Sequence, residues 1–192
     1  MTSIEIIAAL FGVVSVYLST REKIWSWPTA IVNVGLYILV FFKARLYADM
    51  GLQGVYLILS IYGWYQWLYG GENHTELKVS IATPRLLLFL AIIDVAVWLP
   101  LATALHRHTD AALPYLDSLL TTTSLVAQWM MTRKILENWV IWIAVDIVYV
   151  PMFIYRELYP TAALYTVFLV LAAKGYRDWR RSWLSGAATQ TA

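Results

Sequence analysis

Residues 20–67 recur at residues 132–179, in the same direction and without a gap, displaced by 112 positions (Trp27 to Trp139). Sliding one segment onto the other gives fourteen identical pairs, among them Thr20/Thr132, Arg21/Arg133, Trp27/Trp139, Tyr37/Tyr149, Phe41/Phe153, Leu46/Leu158, Tyr47/Tyr159, Gly63/Gly175 and Trp67/Trp179. An apolar chain matches Leu, Val and Ile to itself by composition alone. It does not so readily bring Arg, Trp, Tyr, Phe and Gly into one register. Extended backwards, the register pairs Glu5 with Asp117, Val14 with Val126 and Tyr17 with Trp129, so the duplicated unit is larger than the matched segment. A unit of this size is a supersecondary module that buries its apolar face against its own copy.

Composition says which solvent the modules face. Of 192 residues, 60% are hydrophobic and 14% charged, with a mean hydropathy of +0.63. A soluble domain carries about 25% charged residues. The charges lie in short islands between apolar stretches of roughly bilayer-spanning length, about 20 residues each. This is the pattern of an integral membrane protein. The absence of cysteine excludes disulfides, thiolate chemistry and Cys-based metal sites. A net charge of +2 gives no reason to expect nucleic acid as a partner. The first apolar segment has Glu5 and no preceding Lys or Arg, so it lacks the basic region of a signal peptide and reads as a retained helix.

Seven helices are expected, over about 3–20, 27–43, 46–69, 85–105, 112–131, 136–155 and 160–178. Pro28, Pro84, Pro114 and Pro160 stand near helix starts, where a missing N–H costs little. Gly70-Gly71 marks the end of the third helix. Pro151 falls inside the sixth, where it frees a carbonyl and favours a bend beside a cavity. Lys43, Arg45, Arg107 and Arg156 lie on the side of the N-terminus, and the other ten of the fourteen basic residues lie opposite. The positive-inside rule then places the C-terminus in the cytoplasm and the N-terminus outside. Two copies in the same orientation need an odd number of helices between them, and residues 85–105 supply one. The expected architecture is therefore an all-α membrane protein with seven transmembrane helices in a 3+1+3 parallel repeat. Residues 1–69 form the first three-helix bundle, 70–111 a loop and linker helix, 112–182 the second bundle, and 183–192 a disordered cytoplasmic tail. Repeats of this kind build transporters around a central site.

A polar side chain inside a span is costly unless it faces a neighbour or a cavity, so each is a candidate site residue. Trp139, Trp142, Asp146 and Tyr149 follow i, i+3, i+7 and i+10 on one face of the sixth helix. Two indoles beside an acceptor suit a flat heteroaromatic ligand carrying donors; the alternative is a helix interface with Asp146 bonded to a hydroxyl. Asn33 and Tyr37 share a face of the second helix, and Gln53, Tyr56 and Ser60 one stripe of the third. Asn and Gln offer both a donor and an acceptor, to a ligand or to a neighbouring helix. The fifth helix carries Asp117, Ser118, Thr121, Thr122, Thr123, Ser124 and Gln128, most of whose hydroxyls would bond their own helix carbonyls. Asp94 of the fourth helix is placed to make a polar contact between linker and bundle. Register mates that differ are where one asymmetric ligand would be read: Val34 pairs with Asp146, Ala30 with Trp142, and Gln53 with Tyr165. Identical mates such as Trp27/Trp139 read as scaffold or gate.

The run from Ser19 to Pro28 (STREKIWSWP), the segment Leu46-Tyr-Ala-Asp-Met50 with Gln53, and Glu137-Asn-Trp-Val-Ile-Trp142 with Asp146 resemble the Pnu-type vitamin transporters, over about residues 19–182. The resemblance implies a fold similar to the sugar-transporting SWEET proteins and uptake of a vitamin, nicotinamide riboside first. Transport would be facilitated diffusion across a bacterial inner membrane, with trapping by a cytoplasmic kinase. It implies that Trp142, Asp146, Asn33, Gln53 and Tyr56 line the site, joined by Gln128, Thr122, Trp139 and Tyr149; Tyr37 completes the set on its shared face with Asn33. Asp146 stands where Asn is expected in nicotinamide riboside carriers. A carboxylate balances a nicotinamide cation or a thiazolium equally well, and it argues against neutral riboflavin. Thiamine is thus the alternative substrate, and an ion-coupled carrier using Asp94 and Asp146 the alternative mechanism. No cofactor is expected; the partners are the vitamin, the bilayer, the kinase and a further copy of the chain. Enzyme chemistry would need a nucleophile–base pair or metal cluster at depth. His74, His106 and His108 are instead expected in loops, with Asp110 near the last two.

Overall fold

A computed structural model describes residues 3–43, 45, 47–108 and 113–190. Leu46 and Asp110, named above, lie outside the described residues. The described chain is helical: α1 (Ser3–Thr20), α2 (Ser26–Lys43), α3 (Tyr47–Tyr69), α4 (Pro84–His108), α5 (Pro114–Thr132), α6 (Asn138–Tyr155) and α7 (Tyr159–Gln190), with one 3₁₀ turn at Glu72–His74. Four of these, α1, α2, α4 and α6, are long and apolar enough to cross a bilayer by length and composition. α3 and α5 are as long but carry Gln53, Ser60 and the hydroxyl-rich run of α5. Their polarity has a structural reason, since both line the cavity described below.

Helix boundaries fall within a few residues of those read from the sequence, with two differences. α4 runs on to His108, so His106 and His108 lie in its last turn rather than in a loop, and the His106 ring packs against Tyr115 at 5.6 Å. α4 also contains Pro100, a second proline inside a helix besides Pro151 of α6. α7 continues to Gln190, so residues 183–190 are helical where a disordered tail is expected. Ser182, Ser185 and Arg180–Arg181 do not interrupt a helix once its first turns are anchored by packing.

α1 packs on α2 and α7, α2 on α3, α6 on both α5 and α7, α3 on α5, and α4 on α5. The linker contact expected of Asp94 is present: Thr123 Oγ1 of α5 donates to Asp94 Oδ2 at 2.8 Å.

Register mates adopt the same local structure. In the turn after α1, the Lys23 N–H bonds the Leu18 carbonyl at 3.0 Å; after α5, the Ile135 N–H bonds that of Met130 at 3.1 Å. Glu22 and Lys134 both take a left-handed conformation, with φ of 53° and 48°, and so do Arg45 and Glu157, each at 59°. These residues occupy the turn that closes a helix C-terminus, a position that tolerates left-handed backbone. The rings repeat too. Trp27 meets Trp67 edge-on at 5.3 Å, and Trp139 meets Trp179 edge-on at 5.4 Å. Trp27 lies against Gly63 and Trp139 against Gly175, so closely that a β-carbon would come within 2.3 Å and 2.6 Å of the indoles. Glycine is the residue both contacts require.

Two pairs of register mates touch each other. Trp67 and Trp179 lie 5.8 Å apart at the centre of the largest apolar cluster. Their N–H groups bond crosswise, Trp67 Nε1 to the Met131 carbonyl at 3.0 Å and Trp179 Nε1 to the Ser19 carbonyl at 2.9 Å. Beside them the Lys134 ammonium pairs with Glu22 at 3.1 Å and lies over the Trp67 ring at 4.6 Å. This layer ties the N-terminal and C-terminal halves together.

Candidate functional site

A cavity of about 770 Å³ opens between α1, α2, α3, α5, α6 and α7, while α4 contributes nothing to its wall. Its size is that of a small-molecule site. Each helix supplies the stripe that its period dictates. On α6 the stripe is Trp139, Trp142, Asp146 and Tyr149; on α5 it is Thr121, Ser124 and Gln128; on α3 it is Gln53, Tyr56 and Ser60. α2 presents Trp27, Ala30, Asn33, Val34 and Tyr37, and α7 presents Tyr165 and Phe168. Trp27, Trp139, Ser19 and Met131 bring the wall to the layer where the halves are tied.

Of the ten residues assigned from the sequence, the cavity wall includes Asn33, Tyr37, Gln53, Tyr56, Gln128, Trp139, Trp142, Asp146 and Tyr149. Thr122 is the exception. It is buried away from the cavity and its hydroxyl donates to the Leu119 carbonyl at 3.2 Å. One residue earlier, a third of a turn round the helix, Thr121 lines the wall instead.

Asp146 is 2% exposed and sits in the wall. Among the described residues the ion pairs are Lys134–Glu22 and the contacts of Asp178 with Lys174 and Arg177, and none reaches Asp146. A buried carboxylate without a basic partner is a costly arrangement in a low-dielectric interior, retained where a cation or a donor completes it. Asn33 is half committed: its amide nitrogen donates to the Ala8 carbonyl of α1 at 2.7 Å. Gly12 permits that approach, since a β-carbon there would lie 3.0 Å from the same nitrogen. Asn33 therefore holds α1 to α2 as well as facing the cavity. Tyr149 stacks on Phe153 at 5.3 Å and meets Tyr165 edge-on at 5.0 Å, forming an aromatic wall toward α7.

The sequence reading missed Ser124 and Thr121 as wall residues, because a helix hydroxyl satisfied by its own backbone is the ordinary case. Ser118, Thr122 and Thr132 do bond their own helix in this way. Tyr165, singled out only as the register mate of Gln53, also reaches the wall. No group of three or more His, Asp or Glu side chains is placed to hold a metal ion among the described residues.

The sequence profile of the nicotinamide mononucleotide transporter family matches residues 2–181, nearly the whole chain. The chain belongs to that family. Its curated relatives include the nicotinamide riboside transporter PnuC of Escherichia coli K12, 29% identical over 93% of this chain and 85% of the relative. Another is the riboflavin/roseoflavin transporter RibM of Streptomyces davaonensis, 28% identical over 91% and 83%. The solved crystal structure of the vitamin B3 transporter PnuC superimposes with a TM-score of 0.73, at 26% identity, over 93% of this chain and 80% of that one. The family member described here is thus a multi-pass membrane transporter with the PnuC fold.

Proposed function

We propose that this protein carries nicotinamide riboside into a bacterial cell by facilitated diffusion, with a cytoplasmic kinase trapping the product of uptake. The observation that carries the reading is Asp146, a buried carboxylate in the cavity wall with Trp142 one turn before it on the same face. Nicotinamide riboside is a flat aromatic cation bearing hydroxyls. An indole face attracts such a cation, and the carboxylate neutralises it away from water. The polar amides of Gln53 and Gln128 then offer partners to its carboxamide and hydroxyls.

Seven membrane-spanning helices in a 3+1+3 parallel repeat, as in the SWEET proteins, are part of the proposal. The matched turns, the matched Trp–Gly contacts and the register mates that touch each other support an approximate two-fold relation between the halves. The excess of Lys and Arg opposite the N-terminus supports a cytoplasmic C-terminus in the inner membrane. Thiamine is the second reading, favoured by the same carboxylate, since its thiazolium is also a cation. RibM is almost as similar as PnuC, yet a neutral flavin gains nothing from the charge of Asp146.

Calorimetric titration of the purified protein with nicotinamide riboside, thiamine and riboflavin decides among them. Nicotinamide riboside should bind most tightly, and Asp146→Ala and Trp142→Ala should each weaken it. Unchanged affinity in both variants would remove the assignment of these residues.

A further inference from the structure

The two halves meet along two seams, α3 against α5 and α7 against α1, which the repeat makes equivalent. Part of the closure is the same in both: the indole of Trp67 bonds the Met131 carbonyl across one, and its mate Trp179 bonds the Ser19 carbonyl across the other. The rest differs. After α3 the chain turns back, and residues 77–82 cross the α3–α5 seam as an extended strap. The Leu77 N–H bonds the Trp67 carbonyl at 3.2 Å. The Ser80 N–H bonds the Lys134 carbonyl at 3.0 Å, and the Ser80 carbonyl accepts from the Leu136 N–H at 2.8 Å. The Ala82 N–H then bonds a carboxylate oxygen of Glu137 at 2.9 Å, and Val79 is buried in the tryptophan cluster. α7 does not turn back at the equivalent point but continues as a helix to Gln190. The Glu22 carbonyl and the Ile24 N–H, mates of the groups that hold Ser80, bond no other segment among the described residues.

The α1–α7 seam is closed by side chains instead. Besides Trp179, Lys174 of α7 reaches across it: the ammonium donates to Thr20 Oγ1 at 3.1 Å and lies over the Tyr17 ring at 5.5 Å. Asp178, one turn on, holds the same ammonium. The Lys134–Glu22 pair joins the mated turns of both halves and favours neither seam. Partly exposed side-chain contacts give way to water at little cost. Paired backbone groups and a buried valine resist separation. We infer that the halves hinge at the strapped α3–α5 seam and part at the α1–α7 seam, with Lys174 as the latch. Val16 and Ser19 of α1 and Phe168 and Ala172 of α7 line the cavity, so parting here opens it at the C-terminal end of α1. Repeat-built carriers work by moving one repeat against the other. Duplication alone makes the two seams alike, and the strap is what tells them apart. The inference rests on this chain being a transporter, not on which vitamin it carries.

Arg21 and Arg177 flank the α1–α7 seam beside Asp178, and their mates Arg133 and Tyr65 hold the matched places at the other seam; all four are exposed. Spin labels on Arg21→Cys with Arg177→Cys, in protein reconstituted into lipid nanodiscs, should give a short and a long distance by double electron–electron resonance. Labels on Arg133→Cys with Tyr65→Cys should give one distance. Replacing Arg133 also removes its bond to Tyr62, so a fixed distance there rests on the strap. Lys174→Met should raise the share of the long distance at the first pair and leave the second pair unchanged. Joining the first pair with a short bifunctional thiosulfonate should abolish nicotinamide riboside uptake into proteoliposomes, reversibly on reduction, while joining the second pair should leave uptake intact. The inference is overturned by a second distance at the Arg133–Tyr65 pair, by a single distance at both pairs, or by uptake that survives the α1–α7 crosslink. Wild-type protein that takes up no nicotinamide riboside refutes the proposed cargo alone, since the spin-label distances need no cargo and still decide the hinge.

Discussion

Single residues carry the discrimination between the two halves. Val34 and Asp146 occupy equivalent places in the repeat and both are buried in the cavity wall, so one half offers a methyl pair where the other offers a charge. Asp146→Asn retains shape and hydrogen bonding and removes only the charge. For a cationic cargo it should lose about 2–5 kcal/mol of binding, the range for removing one member of a desolvated charge pair, while binding of a neutral flavin holds or improves. Calorimetry with both ligands checks the sign. Gly63 and Gly175 work at the same scale through absence. Gly63→Ala forces a methyl into the Trp27 ring and should destabilise the fold by about 1–3 kcal/mol, an overpacking cost. Thermal unfolding in detergent measures it. Gly51, with no atom within 4 Å of its would-be β-carbon, should tolerate alanine in the same assay.

Elements are held to each other by their turns. The turn after α1 brings Glu22 to Lys134 in the turn after α5, and the ammonium is the more buried partner. Glu22→Gln leaves Lys134 covered but unneutralised, and breaking such a pair from one side costs more than the pair contributes. The unfolding temperature should fall. Because these two residues are register mates with the same backbone conformation, the reversed pair Glu22→Lys with Lys134→Glu should recover most of the loss, whereas either substitution alone should not. Failure of the double variant to recover would mean that the loss came from packing on the Trp67 ring, where Lys134 also lies. α4 behaves differently from the others. Among the described residues its main packing partner is α5, joined by Thr123 and Asp94, and none of its residues lines the cavity. Thr123→Val should therefore reduce stability and leave substrate affinity intact.

At the scale of the whole molecule, six helices from both halves enclose the cavity, and a layer of tryptophans contributed by both halves packs beside it. The crosswise bonds of Trp67 and Trp179 tie the two halves together across that layer. Uptake by facilitated diffusion needs no ion gradient. Nicotinamide riboside entry into proteoliposomes should survive collapse of the proton and sodium gradients, and loss of uptake would identify a coupled carrier. The chain has no cysteine, so single cysteines report topology cleanly. Ser3→Cys should react with a membrane-impermeant reagent added outside intact cells, and Ser182→Cys only after permeabilisation.

The sequence alone was enough for the helix count, the duplication and the polar stripes that α2, α3 and α6 present to the cavity. Hydropathy, the 112-residue register and the helical period are properties of the chain read along its length, and each survives whatever the helices do next. The stripe on α6 was legible because four chemically distinctive residues recur on one face, and the register showed which half would carry the charge. The choice of Thr121 over Thr122 was not legible, since α5 has a run of hydroxyls and only the helix's rotation against its neighbours selects among them. Nor was the division of labour among the tryptophans. All four of Trp27, Trp67, Trp139 and Trp179 match across the repeat and look alike in sequence. Only the packed structure gives Trp67 and Trp179 carbonyl partners from the opposite half and leaves the donors of Trp27 and Trp139 buried without one, because hydrogen bonding of a buried indole depends on which distant backbone the fold brings within 3.0 Å.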